Sequence, residues 1–309
     1  MAVFLLLVQV LGPVLLMAAL VTRSRSRTLK LLQAAAVFFY LLAVHLAGLW
    51  LELPWWTPWL LWTIYLIALP RGWRSTPHIR RVQREDWSVF ALWAVAAGGA
   101  AWLTTVALLA QRPPPGPVVE VALPLPAGRY VVVNGGSRSL TNAHLETLHP
   151  STPRQAASRG QSYAVDLVGL TPMGRMSEGW RPRDPARYAV FGTPVIAPCN
   201  GRVIQRLDGS PDMPVPVADK RVMAGNHVVL RCGRVQLLLA HLRLGSVAVK
   251  QNEAVHTGQK LGQVGNSGNS GAPHLHIHAQ RLGSPEALFA AAPLPIRIDG
   301  RYLVRGDRL

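Results

Sequence analysis

Three histidines at alternate positions, preceded by a run of turn-forming residues, mark the stretch of this sequence best suited to chemistry. The run Gly265–Gly271 contains only Gly, Asn and Ser, and His274, His276 and His278 follow shortly after it. Side chains alternate between the two faces of a strand, so we expect the three imidazoles to share one face. Imidazoles spaced in this way form a platform for a metal ion. The alternative is a solvated strand that turns its polar residues to water.

Two further side chains have the chemistry to complete such a site. Zinc enzymes usually hold the ion with three protein ligands and keep one position for water, and His276 can supply one of the three. Asp166 lies in the apolar run Tyr163–Val168, where a carboxylate needs a counter-charge or a metal unless it faces water from an edge strand. His241 also lies between apolar neighbours, where a hydrogen-bonded core histidine is the alternative to a catalytic one.

The elements that must position these residues are predicted to be short strands. From Val118 onward, β-branched and aromatic runs alternate with Gly- and Pro-rich turns, which predicts an all-β domain with an antiparallel, sandwich-like or barrel arrangement. The predicted strands are Val118–Leu123, Tyr130–Val133, Tyr163–Val168, Pro194–Ile196, Gly201–Leu207, His227–Arg231, Val235–Leu239, Ser246–Val249, Lys260–Val264, His274–Ala279 and Tyr302–Val304. Pro285–Ala291 is the best helical window. The Arg-containing connection Thr171–Tyr188 is predicted either to wall a substrate groove or to remain a solvated loop.

The first third of the chain predicts a mainly α-helical transmembrane region. The four apolar segments are Ala2–Val21, Leu31–Leu51, Leu53–Leu69 and Val89–Ala110. Each approaches the ~20 residues that cross a bilayer, the third only marginally. A cleaved signal peptide is the alternative for the first segment, but no basic stretch precedes it and no small-residue cleavage site follows it.

Basic residues between the segments predict their orientation. They are Arg23, Arg25, Arg27 and Lys30 after the first segment, and Arg71, Arg74, Arg80, Arg81 and Arg84 after the third. Positive loops stay in the cytoplasm, so both termini are expected outside. The cluster Trp55, Trp56 and Trp59 is then expected at the outer interface, with packing between helices as the alternative. We therefore expect a multi-pass protein of the inner (cytoplasmic) membrane whose C-terminal part is extracytoplasmic or periplasmic.

Charge and composition agree with a lipid neighbour. The chain of 309 residues has 32 Lys and Arg against 15 Asp and Glu, a formal net charge of +17, which favours an anionic partner such as a lipid bilayer. Nucleic acid is not expected, since no binding motif is present. The predicted organisation is a transmembrane region at 1–111, a Pro-rich spacer and entry strand at 112–130, and a β domain at 131–309.

The two cysteines lie near the ends of two strands that are predicted to pair. If Gly201–Leu207 and His227–Arg231 are antiparallel with Leu207 opposite about Asn226, Cys199 and Cys232 come close to opposite positions. Thiols outside the cytoplasm tend to oxidise. A disulfide also requires suitable Cβ geometry, so the sequence leaves the pairing open.

With these residues in view, the region from about Val131 to Gln280 resembles the lysostaphin-like (LytM-type) zinc metallopeptidases, which cleave peptide cross-links in bacterial peptidoglycan. The stretches that carry the resemblance are Tyr163–Asp166, Phe191–Pro198, Gly201–Val203, Gly225–Val228, Ala240–Leu242, Gly258–Gly262, Gly265–Gly268 and Pro273–His276. The resemblance implies that Asp166 and His276 are zinc ligands. It implies that His241 and His274 are catalytic histidines beside the metal.

The third ligand departs from the commonest pattern of that family. A ligand histidine is usual four residues before the aspartate, but Ser162 stands there. Some relatives take this histidine from further upstream, after a Gly/Asn/Ser turn. His144 is therefore the expected ligand, with His149 as second choice. His278 is expected behind the ligands or in the groove wall, and His227 and His256 are expected to have no role.

The sequence thus predicts a membrane-anchored endopeptidase with a Zn²⁺ cofactor, acting on peptidoglycan stem peptides. The first alternative is a catalytically inactive relative that binds the cell wall and regulates another hydrolase, which the displaced ligand favours. The second is a carrier barrel, because Val249–Val255 with Gly258–Gly262 looks like a biotinyl- or lipoyl-type turn and strand. That fold does not need the paired histidines, and no modifiable lysine lies at an obvious hairpin tip.

Overall fold

The computed structural model describes residues 6–22, 24, 26–76, 86–284 and 289–309 of the chain. These residues divide into two units, Met1–Leu109 and Ala110–Leu309. The first unit is helical, and the second is built mainly from strands.

Four α-helices make up the described part of the first unit. A π-helical turn, Leu7–Leu11, leads into α1 (Gly12–Val21), which is followed by α2 (Arg27–Ala47), α3 (Thr57–Arg74) and α4 (Trp87–Leu109). The Ser26 hydroxyl caps α2 by accepting a hydrogen bond of 3.2 Å from the main-chain N–H of Leu29, which satisfies one of the free N–H groups that start a helix. A proline lies in the first turn of α3, where its missing N–H costs nothing.

Lys30 is fully buried because its ammonium group closes the C-terminal end of α1. Its Nζ donates to the carbonyl oxygens of Leu20 at 2.9 Å and Thr22 at 2.8 Å. The last carbonyls of a helix lack partners within it, and a cation there also offsets the negative end of the helix dipole. Gly72 of α3 lies against the same Leu20 carbonyl, and any Cβ at this position would overlap the oxygen. A charge-assisted cap and a close backbone approach therefore join α1, α2 and α3.

Each of the four predicted membrane segments overlaps one of these helices. Within the described residues, only α2 and α4 are long and apolar enough to cross a membrane, and the apolar helix Leu7–Val21 is shorter. Core helices of soluble proteins and signal sequences share these properties, so the multi-pass region stays a prediction. Residues 1–5 of the first segment, Arg23 and Arg25, and the loop residues Arg80, Arg81 and Arg84 lie outside the described residues.

The three indoles predicted at the outer interface are exposed. Trp55, Trp56 and Trp59 have exposed fractions of 47%, 43% and 57%. Trp59 of α3 also contacts His45 of α2 edge-on, with 5.0 Å between ring centroids, so the alternative of packing between helices applies to this one of the three residues.

The second unit is organised around one antiparallel sheet. Within the described residues, the second unit has twelve strands, which are β1 (Val119–Val121), β2 (Tyr130–Asn134), β3 (Val165–Gly169), β4 (Pro194–Ile196), β5 (Gly201–Leu207), β6 (Asn226–Cys232), β7 (Val235–Leu242), β8 (Ala254–Val255), β9 (Lys260–Gln263), β10 (Leu275–Arg281), β11 (Pro293–Leu294) and β12 (Ile296–Ile298). The order in the main sheet is β2-β3-β10-β7-β6-β5-β8, and β11 also pairs with β10. Every pairing in this sheet is antiparallel, as predicted.

Two small sheets accompany the main one. β4 and β9 pair antiparallel, whereas β1 and β12 pair in parallel. Val195 of β4 and Leu261 of β9 belong to the same buried cluster as Leu239 of β7 and Ile277 of β10. The sandwich-like prediction therefore holds only in reduced form, with a two-stranded second layer over one face of the main sheet.

A few local predictions fail or cannot be tested. Two predicted strands, Ser246–Val249 and Tyr302–Val304, are not observed. Both segments are irregular. Short helical turns occur instead at Ala143–Thr147, Pro153–Ala157, Arg159–Gln161 and Pro185–Arg187. Most of the predicted helix Pro285–Ala291 lies outside the described residues.

The cysteine pairing that the sequence left open is present. Cys199 and Cys232 form a disulfide with their Cα atoms 6.2 Å apart. Cys199 precedes β5 and Cys232 ends β6, and Arg202 is in register with Arg231 on these two strands. The bond therefore closes the open end of this antiparallel pair.

Candidate metal centre

The centre of the site is a pair of residues on β3 and β10, which are adjacent interior strands of the main sheet. Asp166 and His276 lie directly opposite each other in the antiparallel register. Their neighbours along each strand point into the hydrophobic core, so alternation turns the carboxylate and the imidazole to the other face of the sheet. Asp166 is 3% exposed and lies on an interior strand. The alternative of an edge-strand aspartate facing water is therefore not observed.

His241 reaches this face only because β7 contains a bulge. The pairing with β6 shifts between Asn226–Leu242 and Val228–Leu239, so that β7 has one extra residue there. His241 takes the left-handed backbone conformation with φ of 62°. Leu239 and Leu242 both pack in the core, three residues apart. Simple alternation would have placed His241 on the core face with Leu239, and the bulge turns it to the site instead.

A second bulge, on β2, aligns Asn134 with Asp166. Val132 is in register with Leu167, but the next pair is Asn134 with Asp166. The side-chain amide of Asn134 donates to Asp166 Oδ2 at 2.8 Å. Its Oδ1 accepts a hydrogen bond of 3.2 Å from the half-buried guanidinium of Arg305. Asn134 thus connects a cation near the C-terminal end of the chain to the carboxylate of the site.

His144 arrives from the helical turn Ala143–Thr147. Asn142 fixes this turn: its Oδ1 accepts from the main-chain N–H of His144 at 3.1 Å, and its amide donates to the carbonyl of Ala164 at 3.0 Å. His144 Nε2 consequently lies 2.9 Å from Asp166 Oδ2. The second-choice residue, His149, is exposed and belongs to neither group of potential ligands found among the described residues. Ser162 is buried against Thr147, with 2.9 Å between their hydroxyl oxygens.

Two overlapping groups of potential ligands meet at His276. One is His144, Asp166 and His276, and the other is His241, His274 and His276; within each group the ligand atoms lie within 4.8 Å of one another. Two imidazoles and a carboxylate are a ligand set that zinc accepts. The first group also contains the buried carboxylate, whose charge a divalent ion would balance. These residues therefore fit a zinc ion.

The pKa values of the first group reflect a carboxylate enclosed by imidazoles. Burial alone would raise the pKa of Asp166, but charge on His144 and His274 and hydrogen bonds from His144 and His276 hold it well below its ordinary value. Burial acts to lower the pKa of His144, and the charge and hydrogen bond of Asp166 outweigh it and raise this pKa. For His276 burial dominates, and the pKa is lowered. The carboxylate is therefore ionised and ready to bind a cation.

Main-chain carbonyls determine the tautomers of the other two histidines. His241 Nδ1 lies 2.9 Å from the carbonyl oxygen of Ser267, and His274 Nδ1 lies 2.8 Å from that of Ala272. A carbonyl only accepts, so each Nδ1 carries a proton, and Nε2 is the nitrogen with the lone pair whenever the imidazole is neutral. Burial, with charge on His274 and His276, holds the pKa of His241 well below its ordinary value. The two rings lie 4.7 Å apart between centroids, so two proton-accepting nitrogens lie beside the candidate metal ligands.

These side chains line a cavity of about 560 Å³. Its wall is formed largely by the segment between β2 and β3, including Glu146, Arg154 and Gln161. The connection Thr171–Tyr188, predicted as a possible groove wall, contributes no lining residue. No sequence pattern announces the actual wall, because the turns at 143–161 are too short and irregular to show a period. No pattern indicates a role for Arg305 either, because this residue is remote from every motif.

The other three histidines considered in the sequence analysis differ in burial and in position relative to the cavity. His278 is fully buried beside His276, whereas His227 is buried outside the cavity lining and His256 is exposed.

Known proteins provide a second line of information on this site. Residues 186–287, about a third of the chain, match the model of peptidase family M23. This segment includes His241, His274 and His276, whereas His144 and Asp166 precede it. An uncharacterised metalloprotease of Haemophilus influenzae is 32% identical over 121 residues, covering 39% of this chain and 22% of that protein. The peptidoglycan DD-endopeptidase ShyA of Vibrio cholerae serotype O1 is 32% identical over 158 residues, covering 51% of this chain and 28% of that protein.

Among solved structures, lysostaphin from Staphylococcus simulans is similar at 23% identity with a TM-score of 0.27, covering 40% of each chain. The matched regions span about a quarter of each of the two curated relatives. The family match and both curated relatives agree with the sequence resemblance to one class of peptidase. The chain therefore contains a peptidase family M23 domain, which includes residues 186–287.

Proposed function

We propose that this chain is a membrane-anchored zinc metalloendopeptidase that hydrolyses peptide cross-links of bacterial peptidoglycan. One observation carries the proposal: His144, Asp166 and His276 converge within ligand distance of one another, and His241 and His274 lie beside them in the same cavity. The peptidoglycan endopeptidase among the relatives indicates the substrate class. The proposed ligands are the first three residues, and the proposed catalytic residues are the last two.

A zinc ion bound by His144, Asp166 and His276 supplies a Lewis acid for the scissile carbonyl and lowers the pKa of water toward ~7. The protein's own part is to hold and move protons. In the neutral form of His241 and of His274, Nε2 is the nitrogen that can accept a proton, since each Nδ1–H is held by a carbonyl. One of them accepts the proton of the attacking water and delivers it to the leaving amine nitrogen. The other takes up a proton from solvent at Nε2 and then donates a hydrogen bond from that nitrogen to the oxyanion, a contribution of about 3 kcal/mol.

The alternative of an inactive cell-wall-binding relative rested on the unusual position of the first ligand. The 2.9 Å contact between His144 Nε2 and Asp166 Oδ2 weakens that reason. A carboxylate buried among imidazoles that keep free lone pairs supports hydrolysis over simple binding.

Membrane anchoring and export are part of the proposal. Helices α2 and α4 have the length and composition of spans, and the disulfide suits an oxidising compartment. We assign residues 1–111 to a multi-pass inner-membrane region, 112–130 to a spacer, and 131–309 to an extracytoplasmic peptidase domain. A reporter fused after Gly116 is expected to read out an exported position, and a cytoplasmic readout would overturn this topology.

The experiment that tests the enzymatic proposal compares two variants of the 309-residue chain purified in detergent. His276→Ala is expected to lose both bound zinc and the ability to digest purified peptidoglycan. His241→Ala is expected to retain zinc and lose digestion, because its imidazole moves protons and does not hold the ion. A third variant, Asp166→Ala, distinguishes the two groups of potential ligands. If His276→Ala and His241→Ala both lose zinc while Asp166→Ala retains it, the ion is held by His241, His274 and His276 instead. Full digestion by His241→Ala would refute the catalytic assignment.

A further inference from the structure

His278 is a fully buried imidazole whose ring has one polar contact within the described residues. It follows His276 by two residues on β10, so both rings lie on the same face of the strand, 5.2 Å apart between centroids. Its Nδ1 lies 2.9 Å from His276 Nε2, while its own Nε2 has no hydrogen-bond partner in the described part of the chain. A buried ring with this single contact needs a reason to be a histidine.

The two ring nitrogens of His276 face different partners. Nδ1 lies 2.9 Å from Asp166 Oδ1, within the group of potential ligands. Among the described residues, the partner of Nε2 is His278. A metal takes the lone pair of a neutral imidazole nitrogen, so binding through Nδ1 requires the proton to be on Nε2. That N–H is buried and needs an acceptor, and His278 Nδ1 is the acceptor at hydrogen-bond distance.

The position of His278 is itself fixed. Its ring packs against Phe289 with 5.4 Å between centroids, and β10 is paired with β7 at this residue. The acceptor nitrogen is therefore held in place by a neighbouring aromatic ring and by the sheet.

We propose that His278 is a positioning residue, which accepts the Nε2 proton of His276 and so keeps the Nδ1 lone pair of His276 directed at the metal. This proposal rests on the proposed zinc site. Ligand histidines commonly donate their second N–H to a carboxylate, carbonyl or water. Here a second histidine has that task, two residues along the same strand.

The test measures zinc affinity by competition with a chelator, using the purified 309-residue chain. His278→Phe keeps an aromatic ring and removes the acceptor, and is expected to weaken zinc binding by about 10- to 100-fold. His278→Asn places an amide oxygen near the position of Nδ1 and is expected to restore most of the affinity. His227→Phe is the matched control, because it replaces another buried imidazole outside the cavity, and it is expected to leave zinc affinity unchanged.

The outcomes separate this inference from the function on which it rests. A wild-type chain that binds no zinc refutes both. If the wild type binds zinc and His278→Phe binds it equally well, only the positioning role fails. Equal loss in the Phe and Asn variants also overturns it, because an acceptor would then not be what matters. Nitrogen NMR of the wild-type zinc form provides a measurement independent of folding in the variants: the Nε2–H tautomer is expected for both His276 and His278, and Nδ1–H on His278 would contradict the proposal.

Discussion

The left-handed backbone at His241 leads to a prediction about stability that does not depend on catalysis. Its φ of 62° is a conformation that disfavours any residue with a Cβ. Glycine is free of that penalty, so His241→Gly is expected to be more stable than His241→Ala. Both variants lose the same imidazole contacts, and the comparison therefore isolates the backbone.

The size of the effect follows from two opposing contributions. The left-handed conformation costs a residue with a Cβ about 1–2 kcal/mol. Glycine, in contrast, has more freedom in the unfolded chain, which costs the folded state roughly 0.4–1 kcal/mol relative to alanine. His227 lies on β6 without a positive φ, so only the second contribution acts there, and His227→Gly is expected to be less stable than His227→Ala. The difference between the two comparisons cancels the unfolded-state contribution and leaves about 1–2 kcal/mol.

Urea unfolding of the four variants measures these free energies directly. Thermal unfolding gives a second estimate, because a unit of this size shifts its Tm by roughly 2–4 °C per kcal/mol, so the double difference corresponds to roughly 2–8 °C. If glycine is worse than alanine by the same amount at both positions, then no backbone strain is stored at His241. The bulge would then need another explanation.

Two further predictions concern the support of the site and of the fold. Asn134→Ala removes the 2.8 Å hydrogen bond to Asp166 and is expected to weaken zinc binding about 10-fold or more in a chelator competition, whereas affinity within twofold of wild type would show that the amide has no orienting role. Replacing Cys199 and Cys232 by alanine opens a loop with a sequence separation of 33, and chain entropy then predicts a loss of about 3.7 kcal/mol in the free energy of unfolding. Reductant should destabilise the wild type and leave the double variant unchanged, and equal sensitivity of both would contradict this prediction.

Alternation along the strand predicted the face on which His276 lies, whereas the choice of Asp166 as its partner came from the family resemblance. The apolar residues around Asp166 and His276 specify which face each strand buries, and the structure places both side chains on the opposite face in a directly paired register. The sheet and its antiparallel pairing also followed from short apolar runs and turns. These features depend on period-two patterns, which are local and readable in the sequence.

The rest of the site depends on contacts between segments that are distant in sequence. His144 reaches Asp166 because buried Asn142 bonds to Ala164, and no periodicity announces such a turn. Arg305 stabilises Asn134 from near the other end of the chain. The length and the arginines of Thr171–Tyr188 indicated a groove wall. The short helical turns between β2 and β3 form the wall instead, because they lie nearer to the ligands.

Regular and bulged parts of the strands position different side chains of the site. Asp166 and His276, two of the proposed ligands, lie on an uninterrupted stretch of the ladder between β3 and β10. Asn134 and His241, which orient a ligand or move protons, lie at the bulges on the two flanking strands. A regular ladder fixes the separation of paired side chains, whereas a bulge re-aims one side chain relative to its neighbours. The two proposed ligands that lie on strands thus occupy the regular ladder, whereas the bulges beside it supply the orienting amide of Asn134 and the imidazole of His241.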